Sequence, residues 1–329
     1  MRAGIVYFTP QGENTATKVK AALERKNFIC EFRSKEIPLK EWTQACFFDC
    51  DLIVFVSATG IAVRTIAPYL VSKTVDPAVV VLDDKGDFVI SLVSGHIGGG
   101  NDIARMIGEE MGSTPVITTS TDVNGKLAID EWAVKNNMVI GDMAMAKKIA
   151  MFLLKGIKVG MVSQIDLGDN MPKDLLLNDQ TDIGVNISWK RQNVFSRELK
   201  LIPKKIALGI GCKKDTDKTT IEKVVLAKLF EEDIDFRAID RIGTIDIKKD
   251  EQGLIEFCRE LDCEMITYTA KELEEAEGEF EPSDFVKSVT GTDNVCQRAA
   301  TLVSNNGEIL FEKFAKDGVT VSAAVIKGE

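Results

Sequence analysis

A chain of 329 residues, 45% hydrophobic and 28% charged, is long and apolar enough to bury two or three domain cores, which argues against disorder over most of its length. Forty-one Lys and Arg against fifty-one Asp and Glu leave a formal charge of -10, which disfavours loose attraction to nucleic acid or to an anionic membrane surface, while a polyanionic small ligand would need a local basic pocket. No run reaches the roughly twenty apolar residues of a membrane helix, so no span is expected.

Residues 4–8 read as a short apolar strand, followed by the polar turn Thr9-Pro10-Gln11-Gly12 and a helix over residues 15–26 that presents Val19, Ala22 and Leu23 on one face. Residues 52–56 form an unbroken apolar run of the kind buried on both faces of a parallel sheet, and lead into a helix that contains Arg64. Residues 78–82 and 87–93 read as strands joined by the hairpin turn Asp83-Asp84-Lys85-Gly86, which makes the sheet mixed. A glycine-rich stretch then enters a helix capped by Asn101 or Asp102 and ended by Gly112, with a strand over residues 115–119 behind it. Residues 129–136 and 142–154 read as helices, and 157–162 and 185–189 as strands.

A second α/β pattern opens at Lys205 with a strand over 206–210, a turn at Gly211-Cys212 and a helix over 219–230 capped by Thr219 or Thr220. Strand and loop over 239–247, helix over 250–261, strand over 265–269 and helices over 283–289 and 295–304 follow, and two strands around Lys316-Asp317-Gly318 close the chain. The acidic run 272–281 reads as a solvated loop or helix end. The expected fold class is α/β: a mixed-sheet domain over 1–125, a small α/β linker module over 126–203, and an α/β domain with helices on both faces over 204–329.

Chemistry concentrates in Ser94-Gly95-His96-Ile97-Gly98-Gly99-Gly100-Asn101-Asp102. Its four glycines suit close backbone approach to a ligand, the amides of the helix start suit an anion, and His96, the only imidazole in the chain, suits general acid or base work. A glycine-rich turn around a hydrogen-bonded histidine fits equally well, and both readings stay open. Ser57, Thr59, Gly60 and Arg64 follow a buried strand, where donors and a carboxylate-binding guanidinium would meet a ligand; a capped helix with a surface arginine is the plainer account. Thr9 to Thr15 is similar to a flavodoxin phosphate loop, but Pro10 removes a donor and Glu13 repels phosphate. Gly209-Ile210-Gly211 lacks the third glycine of a dinucleotide fingerprint and reads as a tight turn. Lys248 is a candidate cation for substrate carboxylates, and Cys212 the one cysteine worth testing for reactivity. Seven cysteines without a C-x-x-C pair, and an opening without the zones of a signal peptide, point to a cytoplasmic protein without a disulfide framework or a His-rich metal site.

SGHIGGGNDIA at 94–104, SATGIAVR at 57–64, PVITTSTD at 115–122, LGIGC at 208–212, TIDIKKDEQGL at 244–254, SDFV at 283–286 and GVTVSAAV at 318–325 occur in the order that resembles the CbiG family, the cobalt-precorrin-5A hydrolases of anaerobic cobalamin biosynthesis. Gly100, Asp102 and Gln297 depart from that family's pattern, where alanine, glutamate and an acidic residue are expected. The resemblance implies a hydrolase with no cofactor of its own, the cobalt being carried by the corrinoid substrate, that opens the ring A acetate δ-lactone and releases acetaldehyde to give cobalt-precorrin-5B. The residues fit the demands of that chemistry: His96 is the candidate general base, the amides over Gly98 to Asn101 are candidate oxyanion donors, and a macrocycle too broad for one loop is expected in a cleft between the N- and C-terminal domains, with substrate contacts from Ser57, Thr59, Gly60, Arg64, Ser94, Gly95, Gly98, Gly99, Gly100, Asn101 and Lys248. Neighbouring pathway enzymes are the implied partners for hand-over, with neither nucleic acid nor membrane. The competing classes are a flavodoxin-like FMN protein and a non-catalytic corrinoid carrier.

Overall fold

The computed structural model describes residues 1–72, 75–177 and 180–328. They divide into two compact units, Met1–Lys135 with Ala146–Ile157, and Asn136–Met145 with Lys158–Glu329.

In chain order the first unit holds β1 (Arg2–Tyr7), α1 (Pro10–Glu24), β2 (Ile29–Phe32), α2 (Leu39–Asp49), β3 (Leu52–Val56), α3 (Thr59–Ile66), β4 (Ala78–Leu82), β5 (Phe88–Val93), α4 (Gly100–Met111), β6 (Thr114–Val116), α5 (Ser120–Val123) and α6 (Ile129–Lys135). Its sheet has the order β2-β1-β3-β4-β5-β6, parallel from β2 to β4, with β5 antiparallel to β4 and β6 parallel to β5. The hairpin expected at Asp83 to Gly86 causes the reversal: Gly86 takes φ 77°, its amide reaches Asp83 O, and Phe88 N donates to Asp83 Oδ1 at 2.8 Å.

β3 shows why this sheet carries helices on both sides. Leu52, Val54 and Val56 pack with Val19 and Leu23 of α1 and Ile107 of α4, while Ile53 and Phe55 pack with Trp42 of α2 and Ala62 and Ile66 of α3. All five strand residues are fully buried, as their unbroken apolar run predicts, and Phe55 alone contributes roughly 2–3 kcal/mol by burial. The turn expected at Thr9 to Gly12 is instead the first turn of α1, because Thr9 Oγ1 accepts from Gly12 N and Pro10 sits where no amide is needed.

The chain continues through β7 (Met138–Ile140), α7 (Met143–Leu154), β8 (Gly160–Ser163), β9 (Leu176–Leu177), β10 (Ile183–Ile187) and β11 (Arg197–Pro203). These strands form a sheet of order β7-β11-β10-β8-β9, with β7 antiparallel to β11 and the rest parallel.

The last stretch holds β12 (Ile206–Cys212), α8 (Lys218–Glu231), β13 (Ile239–Ile245), α9 (Gln252–Glu260), β14 (Glu264–Tyr268), α10 (Ala270–Glu274), α11 (Asp284–Thr290), α12 (Cys296–Val303), β15 (Ile309–Lys316) and β16 (Val319–Val325). The sheet order is β14-β13-β12-β16-β15, with β12 to β14 parallel and β16 antiparallel to both of its neighbours. Ile221 and Val225 of α8 and Phe257 of α9 pack with Leu208 and Ile210, whereas Val303 of α12 packs with Ala207, so helices cover both faces as expected.

Two local readings are corrected here. Gly211 and Cys212 are the end of β12 and not a turn, and Asp217 caps α8 through Thr220 N at 2.9 Å, in place of Thr219 or Thr220. Gly209 is required by packing: a Cβ there would lie 1.8 Å from the Cys296 carbonyl oxygen of α12. Gly209→Ala is accordingly expected to lower stability by roughly 3 kcal/mol, read as an earlier urea midpoint at unchanged m-value; an unchanged midpoint would show that α12 moves away freely.

Candidate functional site

The glycine loop leaves β5 and folds back on itself. Ser94 adopts a left-handed φ of 54° and its Oγ donates to Asp76 O at 3.0 Å. Gly98 is forced by this fold, since a Cβ would meet Ser94 Cβ at 2.6 Å, and Gly99 takes φ 75° as it enters α4. Three of the four amides expected to face an oxyanion donate inside the loop instead: Gly99 N to His96 O, Gly100 N to Ser94 O and Asn101 N to Gly95 O. Ser94's left-handed turn aims these carbonyls at the loop's own amides, so the glycines build the turn that holds His96.

His96 faces acids from two other elements. Its Nε2 lies 3.0 Å from Asp122 Oδ2 on α5 and 3.1 Å from Thr121 Oγ1, and its Nδ1 lies 3.7 Å from Asp130 Oδ1 on α6. The side chains of His96, Asp122 and Asp130 are 15%, 14% and 11% exposed, which makes the cluster largely dry but reachable. A carboxylate can only accept, so a neutral His96 paired with Asp122 carries its proton on Nε2 and its lone pair on Nδ1; Asp130 Oδ1, at 3.7 Å, lies beyond hydrogen-bond distance of that nitrogen.

Asp122 is itself held tightly. Thr119 Oγ1 donates to Oδ2 at 2.5 Å, Asn101 Nδ2 to the same oxygen at 3.0 Å, and Arg105 donates to Oδ1. Burial pushes its carboxyl up, but hydrogen bonds from Thr119, His96 and Arg105 outweigh that and hold it at about 2. Arg105 also pairs with Asp102, and Lys135 bridges Asp102 and Glu131, so α4 and α6 are tied behind the histidine. In front of it lies a cavity of about 280 Å³, lined by His96, Thr119, Thr121 and Asp130 and walled by Ala150 and Met151 of α7.

The sequence-predicted residues divide. Ser94, Gly95, Gly98, Gly99, Gly100 and Asn101 assemble around His96, with Asn101 buried and turned toward Asp122. Ser57, Thr59 and Gly60 do not join them. They follow the carboxyl end of β3, whereas β5 runs the other way and delivers its loop to the amino end of β4, beside Asp76 and Ala78. The antiparallel strand thus places the two motifs at opposite edges of one sheet. Ser57 Oγ donates to the neighbouring Ala58 O, and Arg64 is exposed on α3.

Lys248 belongs to the second unit, where it donates to Glu251 Oε2 at 2.8 Å and borders a cavity of about 1190 Å³. Cys212 borders the same cavity; burial pushes its thiol up, with Lys248 only partly opposing, so the reactivity weighed for it is not favoured. The flavodoxin-like loop is corrected too: Thr9 Oγ1 donates to Asp84 Oδ2 at 2.7 Å, and this carboxylate stands where a phosphate would need donors.

Asp122, Asp130, Thr119, Thr121 and Arg105 were not singled out from sequence as site residues. The usable signal was the need of a catalytic imidazole for an orienting carboxylate, together with Asp122 in the helix start behind β6.

A family model described as Cobalamin synthesis G N-terminal matches residues 41–122, and one described as Cobalamin synthesis G C-terminus matches residues 206–324. The chain is 33% identical to a cobalt-precorrin-5A hydrolase of Salmonella typhimurium, over 96% of this chain and 95% of that protein. It is 31% identical to a cobalt-precorrin-5A hydrolase of Priestia megaterium, over 83% and 78% respectively. A crystal structure of a cobalamin biosynthesis protein G homolog from Sulfolobus solfataricus aligns with a TM-score of 0.45 and 24% identity, covering 99% of this chain and 97% of that one.

Proposed function

The chain belongs to the cobalamin synthesis G family, and on that premise we propose that it is a cobalt-precorrin-5A hydrolase whose working base is His96. The substrate is a cobalt-bearing corrinoid, so the metal arrives with it and the protein contributes acid–base groups. The observation that carries the reading is the chain's single imidazole, backed by a half-buried carboxylate and opening on a cavity. A cavity of about 280 Å³ matches a lactone and not a whole macrocycle, so it takes the reacting edge.

The chemistry follows from the tautomer. Nδ1 of His96 takes a proton from water as the oxygen attacks the lactone carbonyl, and Asp122 stabilises the imidazolium formed through Nε2–H. Collapse of the tetrahedral intermediate breaks the carbon–oxygen bond, and the imidazolium returns its proton to the departing alkoxide. The products of this step are the ring A acetate and a hydroxyl on the extruded carbon. His96 then removes that hydroxyl proton; the carbon–oxygen double bond of acetaldehyde forms, the carbon–carbon bond to the ring breaks, and its electron pair enters the conjugated macrocycle, which is protonated. One water is consumed and one acetaldehyde is lost.

Among the described residues no helix is long and apolar enough to cross a membrane. A cytoplasmic site of action and hand-over of the intermediate by neighbouring pathway enzymes belong to the same proposal. Anaerobic incubation with cobalt-precorrin-5A tests it: stoichiometric acetaldehyde is expected, and tight binding without acetaldehyde would turn the reading to a carrier.

A further inference from the structure

We propose that the large cavity of the second unit is a binding site for a broad, flat macrocycle with carboxylates at its edge. The ligand class rests on the function proposed above; the site rests on geometry of its own. Gly211, Cys212 and Ile245 bring the carboxyl ends of β12 and β13 to the cavity. There β12 has a parallel neighbour on one side and an antiparallel one on the other, and α8 and α12 cover opposite faces. Such a division of an open sheet is where crevices form.

Size and lining narrow the occupant. A volume of about 1190 Å³ exceeds what a drug-sized ligand requires. Val295 and Val319 are buried at its wall, while Ile247, Phe285 and Val289 stand 58%, 73% and 62% exposed around it, three large apolar side chains left facing water. An apolar face of matching breadth would cover them.

Charge supplies the other half. Lys218 and Lys248 are engaged, by Glu222 with Glu260 and by Glu251, and Asp217 is engaged by the α8 cap. Lys313 is half-buried at the cavity and close enough to Cys296 to influence its thiol, yet has no ion pair among the described residues. Lys213, Lys214 and Lys316 beside it are likewise without ion pairs among the described residues. The remaining acids, Asp215, Asp250, Glu256 and Asp317, are all exposed, so the charge that reaches inward without a counter-ion is positive. A half-buried ammonium in an apolar cavity gains most from a ligand carboxylate. A neutral apolar ligand would leave Lys313 unanswered, and a small anion would leave the apolar rim bare.

The test uses the full chain and cobyrinic acid, a stable corrinoid with free carboxylates and no lactone, titrated by its visible absorption. Wild type is expected to bind it, with Lys313→Glu and Phe285→Asp each weakening affinity about tenfold or more, His96→Ala changing it less than about twofold, and the heptamethyl ester binding at least about tenfold more weakly. Both altered cavity residues are off the core, and circular dichroism checks that the variants fold. No binding by wild type, or equal affinity in Lys313→Glu and Phe285→Asp, overturns the proposal. Acetaldehyde release from cobalt-precorrin-5A, measured on the same preparations, separates the two ideas: release without these binding effects sinks the cavity and spares the hydrolase, and the binding effects without release do the reverse.

Discussion

A His96→Ala enzyme is expected to release acetaldehyde about 10²- to 10⁴-fold more slowly than wild type, the range that loss of a positioned acid–base group produces. The chain has no second imidazole to substitute for it. The fold is expected to survive, because Asp122 keeps its bonds from Thr119, Asn101 and Arg105 when the ring is removed. Rapid-quench single turnovers, with acetaldehyde read by alcohol dehydrogenase and NADH, isolate chemistry from product release. An undiminished single-turnover rate in a folded variant would place the base elsewhere. A loss of binding without loss of the single-turnover rate at saturation would make His96 a contact and not a base.

What the sequence made legible is what local patterning controls. The continuous apolar run of β3 announced a fully buried central strand, the Asp-Asp-Lys-Gly turn announced the reversal into β5, and the glycine loop announced a special backbone around His96. β2 and α2 escaped because little in them speaks. Only one of the four β2 residues is buried, and Pro38 offers α2 no side-chain cap. β7 and β11 escaped for a related reason, since their antiparallel pairing joins segments about 60 residues apart, a register no local period encodes.

The site shows the same limit. Thr121 and Asp122 reach His96 from 25 and 26 residues downstream, and nothing in the spacing singles out either among many polar side chains. In the sequence, Ser57, Thr59 and Gly60 group with the glycine loop because both motifs follow strands. Strand direction decides which end of the sheet a following loop occupies, and the direction of β5 is set by the hairpin at Asp83 to Gly86, 23 residues beyond Gly60, so the separation of the two motifs lies in topology. The amides of Gly99, Gly100 and Asn101 looked like anion donors for a similar reason: composition shows a permissive backbone, and only the fold shows that its carbonyls satisfy them.

Asp122→Asn is expected to lower kcat about 10²- to 10⁴-fold with little change in KM, since the loss falls on the charged imidazolium and on the tautomer, not on ground-state binding. The amide keeps the shape of the carboxylate but can turn a donor toward Nε2, which would pull the ring proton to Nδ1 and remove the lone pair the water needs. Stability changes with a defined sign. The native carboxyl sits at about 2, below the usual value of 3.8, so its contribution of about 2 kcal/mol is complete above the unfolded value and disappears as pH falls from about 4 toward 2. Wild type should therefore exceed Asp122→Asn in urea unfolding at pH 7, and the gap should close on acidification through that window. A gap that persisted at low pH would mean that packing around Asn101 and Thr119, and not the charge of Asp122, holds the cluster. A constant kcat at pH 7 in a variant with the full stability loss would separate the two roles and show that Thr121 Oγ1, 3.1 Å from Nε2, and Asp130 Oδ1, 3.7 Å from Nδ1, suffice to orient His96.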